Sequence, residues 1–405
     1  MSKIVVTGYG IIAPNTQNRK EFLHNLRDGN CCLQSVIGLG PNSESIVVGL
    51  IDKGLEEFEN NKYIKRLPRV TKLGIKAAKE ALEQAKITNL NEKKVGLFFG
   101  TSLGAGGEKS FQNAIIEGNR NNFNKIPVTF SHIANYHCIT SAIGHYLGVK
   151  GITKTITTGC TSSLEAIQDA MVYLKSGIID IAIVGGSDSP ICQATIYAFA
   201  KTKVIPLGQS LENGAVPFHE ESDGFAMSEA GGVLILEKED AAIKRGIEIK
   251  GEIASIVSNN DGVYTYSVDE TGDQMVNLLH EIARDKNPSY INSQALGIQT
   301  HDQIEKRCSQ EIFNHKTPYT SIKSMYGNPF GAIGVLQVIS SLLSIEHGFI
   351  PPTIRTTKRG FENMNIVTST VYQDINEVLI TNHGHGGNNA CASIKKYEGD
   401  MNVLR

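Results

Sequence analysis

An α/β fold assembled from two related halves is predicted by three observations. Strand-like apolar runs alternate with stretches of helical apolar spacing along the whole chain, and glycine stands at many of the turns between them. With 405 residues the chain is too long for one minimal domain, yet it contains no low-complexity linker. A strand–turn–helix corner near residue 160 is echoed near residue 328. The expected body is therefore a single compact one, with halves at 1–245 and 246–405.

The first strand, Ile4–Thr7, starts almost at once, so no secretory signal is expected. Val95–Phe99, Lys154–Thr158 and Ile179–Val184 read as buried strands, and Val233–Leu236 closes the first half. In the second half strands are expected near Ile253–Ser258, Leu296–Thr300, Ser321–Lys323, Val378–Thr381 and Ala392–Lys395. Leu211–Ser222 and Asn259–Gly272 read as the longer loops. No apolar stretch is expected to reach the length of a membrane span. With 40% hydrophobic residues, 20% charged and a net charge of −2, composition offers no argument for a nucleic-acid or membrane partner. The seven cysteines show no CxxC and no metal-finger spacing, which fits a reducing cytoplasm. Cys31 and Cys32 read as buried filler.

The corner at Thr158-Gly159-Cys160-Thr161-Ser162-Ser163 carries the chemistry. A β-branched run precedes it, and an amphipathic stretch follows that stops at Gly177. Most lone cysteines are inert small hydrophobes. A cysteine at a helix start, however, meets unpaired N–H groups and the helix dipole, which favour its thiolate. This is the thiol version of a nucleophile elbow. The echo runs from Asn328 through Pro329, Phe330 and Gly331 into a small-residue helix ending at Gly348. Duplicated halves would bring the two corners face to face.

Several ordered segments resemble the β-ketoacyl synthases of the elongating type, within the thiolase-fold condensing enzymes. Ile4 to Gly10 resembles the family opening, Thr158-Gly159-Cys160-Thr161-Ser162 its nucleophile segment, and Val184-Gly185-Gly186-Ser187-Asp188 the strand and turn that follow. Pro217 to Gly232 resembles the loop written FDxxRDGFVxGEGAG. Ser321-Ile322-Lys323-Ser324 and Gly331-Ala332-Ile333-Gly334 match SxKSxxGHxxGAAG except at one position, and Gly384 to Ala390 resembles GFGGTNA. The resemblance implies a five-layered αβαβα body, an intimate homodimer or a heterodimer with a related subunit, and a Claisen condensation between thioesters. It also implies that Cys160 takes an acyl group carried on the phosphopantetheine of an acyl carrier protein or coenzyme A, with no other cofactor. The backbone N–H groups of Cys160 and His385 match the family's oxyanion hole.

The chain departs from the family at three places. Thr300-His301-Asp302 keeps the first catalytic histidine, but Asn328 replaces the second, so the implied triad is Cys160, His301 and Asn328. An amide can donate to an enolate oxygen, but it cannot shuttle a proton. The glycine and threonines that follow the family histidine are replaced by Asp302, Gln303 and Ile304 in a shortened segment, and Asp302 or Glu305 could recover contact with the pantetheine arm. Both phenylalanines of the family's gate are histidines, His383 and His385. A metal there is not expected, because no ligand beyond the nucleophile is evident. Lys323 matches the family's active-site lysine, and Glu229 is its expected partner. Lys62, Lys65 and Arg66 fall where the family docks its acidic carrier, a use that electrostatic steering supports; the alternative is an ordinary solvated face.

Taken together, the resemblance implies a cytoplasmic ketosynthase of a specialised fatty-acid or polyketide pathway, working by decarboxylative condensation. Two alternatives stay open: an acyltransferase or non-decarboxylative condensing or cyclising enzyme, and a cavity-shaping partner subunit of another ketosynthase.

Overall fold

The computed structural model describes residues 2–90, 93–133, 135–265, 267–283 and 287–399. Its centre is a ten-stranded sheet system. In chain order its strands are β1 (Ile4–Ile12), β2 (Val95–Gly100), β3 (Thr153–Ile156), β4 (Ile181–Asp188) and β5 (Ala230–Lys238). The second half adds β6 (Gly251–Asn260), β7 (Tyr290–Asn292), β8 (Tyr319–Thr320), β9 (Glu377–His383) and β10 (Asn388–Lys395).

The spatial order is β8-β7-β9-β10-β6-β1-β5-β4-β2-β3. Counted within each half, both sheets run third, second, fourth, fifth, first. Strand directions match as well. β2 lies parallel to β3 and β4, as β7 does to β8 and β9. The remaining neighbours, β4–β5, β5–β1, β9–β10 and β10–β6, are antiparallel. The fold is thus a duplication, and the halves join where Val5 and Val6 pair with Glu252 and Gly251.

Two helices lie between the sheets and others cover their outer faces, giving the layers αβαβα. One outer layer includes α1 (Arg69–Gln84), packed on β1 and β5. The inner layer is α2 (Ser162–Lys175) and α4 (Ile333–His347), in contact with each other. The other outer layer includes the helix Asp273–Ala283 and α3 (Gln299–Phe313). Every α4 residue from Ile333 to Ile345 is buried, so its apolar surface faces protein on all sides. The 18-residue stretch Phe330–His347 is therefore apolar enough to cross a membrane by length and composition, contrary to expectation. It is 89% buried inside the protein, as a core helix should be.

Two expected strands are displaced, for a physical reason. Leu296–Thr300 is a loop entering α3, preceded by the short strand β7. The Asp302 carboxylate accepts the N–H groups of Leu296 at 2.9 Å and Gly297 at 3.3 Å, and Gly297 turns at φ +96°. Those donors go to a side chain, so no ladder forms. Ser321–Lys323 is likewise not a strand. Ser321 N–H goes to the Thr353 hydroxyl, and Ser324 N–H bonds back to the Ser321 carbonyl, beginning the helical turn Lys323–Tyr326. All seven cysteines are free, and Cys31 is half-buried rather than core filler.

Candidate active site

The Cys160 corner is built by local hydrogen bonds. Gly159 turns at φ +75°, in the left-handed region that favours glycine. The Ser162 hydroxyl then takes the Thr158 N–H at 2.9 Å and donates to the Gly159 carbonyl at 2.6 Å, closing the turn before α2. At the second corner Gly327 turns at φ +71°, and its N–H bonds the Lys323 carbonyl at 2.8 Å. Asn328 is clamped by backbone, donating its N–H to Ala226 and accepting from Ser228. A Ser163 hydroxyl bond to the Val335 N–H at 3.0 Å ties one corner to the other. The corners meet as duplication predicts, with the Asn328 amide Nδ2 directed at Cys160 Sγ at 3.7 Å.

Cys160, His301, Asn328 and His385 line one cavity of about 270 Å³, and Phe199, Phe225 and Phe330 form its aromatic wall. The three phenylalanine rings sit 5.4–5.8 Å apart, centroid to centroid. Such a lining suits an apolar chain beside a few polar groups. A larger open groove of about 980 Å³, edged by Lys65, Arg66 and Arg69, contains neither Cys160 nor His301 nor Asn328. The residues expected to carry chemistry meet in the smaller cavity.

His301 is brought in by the first turn of α3 and is buried, with neither ring nitrogen bonded among the described residues. Burial holds its proton affinity well below the usual imidazole range, and His383, His385 and Lys323 push it further the same way. The His383 ring stacks on His301 at 4.8 Å, while His385, exposed at the site, meets it edge-on at 5.5 Å. A Cβ built on Gly384 would stand 3.5 Å from Cys160 Cβ, so the Gly384–His385 segment runs beside Cys160.

The helix-start argument for a thiolate is opposed by the surroundings. Cys160 is half-buried, and its enclosed setting pushes the thiol up, against the lowering effects of the Asn328 amide and the Lys323 charge. Lys323 is itself pushed down to about 7 by burial, against the pull of Cys160, Glu305 and Asp302. It donates to the Ser293 carbonyl at 3.1 Å.

Glu229 is not its partner. That carboxylate is forked by Arg69 at 2.8 and 2.9 Å and also takes the Ser189 hydroxyl and the Ile51 N–H. Glu229 therefore ties the groove to β5, and the lysine's acidic neighbours are Glu305 and Asp302. Nor are those two available to a pantetheine arm, since both are fully buried. Asp302 accepts three backbone N–H groups, those of Phe218, Leu296 and Gly297, while burial lifts its carboxyl to about 7.

The structure gives Asp188 and Glu305 roles that the sequence did not indicate. Asp188 accepts the N–H groups of Ser102, Leu103 and Gly104 on one side and Gly331 on the other, pinning the second corner to β4. Glu305 stands four residues after His301, a spacing that would have marked it had the helix been recognised. Lys62, Lys65 and Arg66 are exposed around a short turn at Ile64–Arg66. Among the described residues no group of histidine, cysteine and carboxylate side chains is arranged to hold a metal.

The body is duplicated and thiolase-like, and a cysteine elbow shares one cavity with a histidine and an amide. The N-terminal domain of β-ketoacyl synthases matches residues 1–242, and their C-terminal domain matches 250–357. The chain belongs to the β-ketoacyl synthase family, the condensing acyltransferases of fatty-acid and polyketide biosynthesis. A curated relative, 3-oxoacyl-[acyl-carrier-protein] synthase 2 of Staphylococcus aureus, is 26% identical over 98% of this chain and 99% of its own. Among solved structures, a chain of the ishigamide ketosynthase/chain length factor superposes with a TM-score of 0.88 at 22% identity, covering 98% of this chain and 100% of that one. A chain of a type II polyketide synthase acyl-carrier protein in complex with its ketosynthase, bound to a hexaketide, gives 0.87 at 21% identity over 98% of this chain and 100% of that one.

Proposed function

We propose that the protein carries out decarboxylative Claisen condensation with Cys160, His301 and Asn328 as its working groups. The observation behind this reading is the 3.7 Å approach of the Asn328 amide to Cys160 Sγ, in a cavity that also takes in His301. In the first step Cys160 sulfur attacks the acyl thioester, and the carrier sulfur leaves with the proton that Cys160 gives up. The N–H groups of Cys160 and His385 are assigned to the oxyanion. In the second step the bond between the malonyl carbon and its carboxylate breaks, releasing CO2 and leaving the electron pair as an enolate. The Asn328 amide and the His301 imidazole donate to the enolate oxygen. Its carbon then attacks the acyl group, the C–S bond to Cys160 breaks, and the sulfur takes up a proton drawn from water. Asparagine cannot carry that proton, so His301 does.

Substrates are assigned to the phosphopantetheine of an acyl carrier protein or of coenzyme A. An acidic carrier would dock at the exposed Lys62, Lys65 and Arg66, the last two on the rim of the open groove. The acyl-carrier-protein complex and the chain-length-factor pair among the similar structures support a carrier partner and a ketosynthase-like partner subunit, either identical or related. A cytoplasmic setting and a boundary between halves at 245/246 complete the reading; the spans of the two family models support the boundary.

The test is incubation with acyl- and malonyl-carrier thioesters, following intact mass and CO2. Acylation at Cys160 with CO2 release and a ketoacyl product is expected. Acylation without CO2 favours a non-decarboxylative transferase. No acylation, with loading only on an added partner, makes the chain a cavity-shaping subunit.

A further inference from the structure

We propose that Glu305 and His383 form a carboxylate–imidazole pair that positions the His301 imidazole, standing in for the second active-site imidazole that the Asn328 corner lacks. The inference rests on the ketosynthase reading above. Its geometry begins on α3, where Glu305 follows His301 by one helical turn, so both side chains leave the same face. Glu305 Oε1 is pinned by the Thr381 hydroxyl at 2.7 Å and the Gln294 N–H at 3.3 Å, and it meets His383 Nε2 at 3.2 Å. From there the His383 ring lies nearly parallel to that of His301, at an interplanar angle of 14°. The sequence carboxylate, imidazole, imidazole thus runs from the core to the cavity wall.

Space-filling alone does not account for this arrangement. A phenylalanine would occupy the same slot without leaving His383 Nδ1 buried and unbonded, as it is among the described residues. Burying an unpartnered polar nitrogen is costly. What the imidazole adds is an Nε2–H that the carboxylate can hold, which fixes its tautomer and its plane. The stacked ring then fixes the plane of His301.

The pair also acts through charge. Burial, with the His383 ring stacked at 4.8 Å, holds His301 neutral, with one nitrogen to donate and one to accept. The other groups around His301 add to this or stay out of the way. His385 and Lys323 press in the same direction as His383, after burial itself. Cys160 shares the cavity with His301. Asp302 spends its carboxylate on backbone N–H groups, and Glu305 is turned to His383.

The test uses the full chain with His383→Phe and His383→Gln, reading two quantities. The first is the titration of the His301 ring by NMR of isotopically labelled histidine, which needs no turnover. The second is the single-turnover rate of condensation beside that of Cys160 acylation. His383→Phe should let His301 take up its proton about one pH unit higher. It should also slow condensation about 30-fold while leaving acylation within about threefold. Glutamine restores a donor to Glu305 and should recover part of the rate without restoring the titration. An unmoved His301 titration in His383→Phe overturns the pair, as does an unchanged condensation rate. Should His383→Phe fail to fold, His383→Gln decides by the same His301 titration. If the wild-type enzyme acylates but never condenses, the ketosynthase reading falls, and the titration still settles the pair on its own.

Discussion

At the Cys160 corner, a glycine in the left-handed region leads through a short turn into α2. At the Asn328 corner, Gly327 does the same ahead of α4. From these matched beginnings the corners diverge in burial. Cys160 is half-buried, and α2 leaves Val172 60% exposed. Asn328 is 4% exposed, both its backbone polar groups are bonded to the segment 226–228, and α4 is enclosed from Ile333 to Ile345. Duplication supplied two equivalent corners, and the proposed mechanism gives them different work. The open one can receive an acyl group. The closed one holds a donor still against it, which is how preorganised stabilisation avoids reorganising during the reaction.

The largest expected effect comes from breaking the open corner. Cys160→Ala should abolish the acyl-enzyme by intact mass and lower condensation by about 10⁴-fold or more, while leaving the unfolding midpoint nearly unchanged. Breaking the closed corner should instead cost stability. Ile339→Ala, in the middle of α4, should lower unfolding free energy by about 2–5 kcal/mol in denaturant titration. Lys175→Ala, on the exposed end of α2, should stay within about 0.5 kcal/mol.

The pH dependence of stability sharpens the same contrast. Asp302 titrates at about 7 in the fold, so it holds more protons than the unfolded chain from about pH 4 upward. Its contribution therefore falls as pH rises from about 4 to 7. Lys323, also at about 7, holds fewer protons than the unfolded chain up to about pH 10.4, so its contribution rises over that upper window. Denaturant midpoints against pH should show Asp302→Asn flattening the lower limb and Lys323→Met the upper one. The smallest effect belongs to the surface. Reversing Lys62, Lys65 and Arg66 to glutamate should raise KM for carrier-bound substrates about tenfold, in a salt-dependent way, and leave small soluble thioesters unaffected.

Most of this architecture was legible in the chain. The strand–glycine–helix pattern located both corners, and the expected strands overlap β1, β4 and β10, while the short strand β7 went unread. Legibility failed at 296–300 and 321–323. There, β-like residues give their N–H groups to Asp302 and Thr353, contacts that no local pattern announces. Charge partners failed for the same reason. Glu229 sits 160 positions from Arg69, and its pairing depends on how α1 lies across β5. Glu305 was within reach, since its spacing from His301 is helical, but only if that segment was read as a helix.

The division of labour between the corners is tested most directly by Asn328→Ala in a single-turnover reaction with acyl- and malonyl-carrier thioesters. The account predicts that acyl-Cys160 forms within about threefold of the wild-type rate, while CO2 release falls by about 10²–10³-fold. Loss of acylation in step with CO2 release would contradict it, because the closed corner would then serve the nucleophile rather than the enolate.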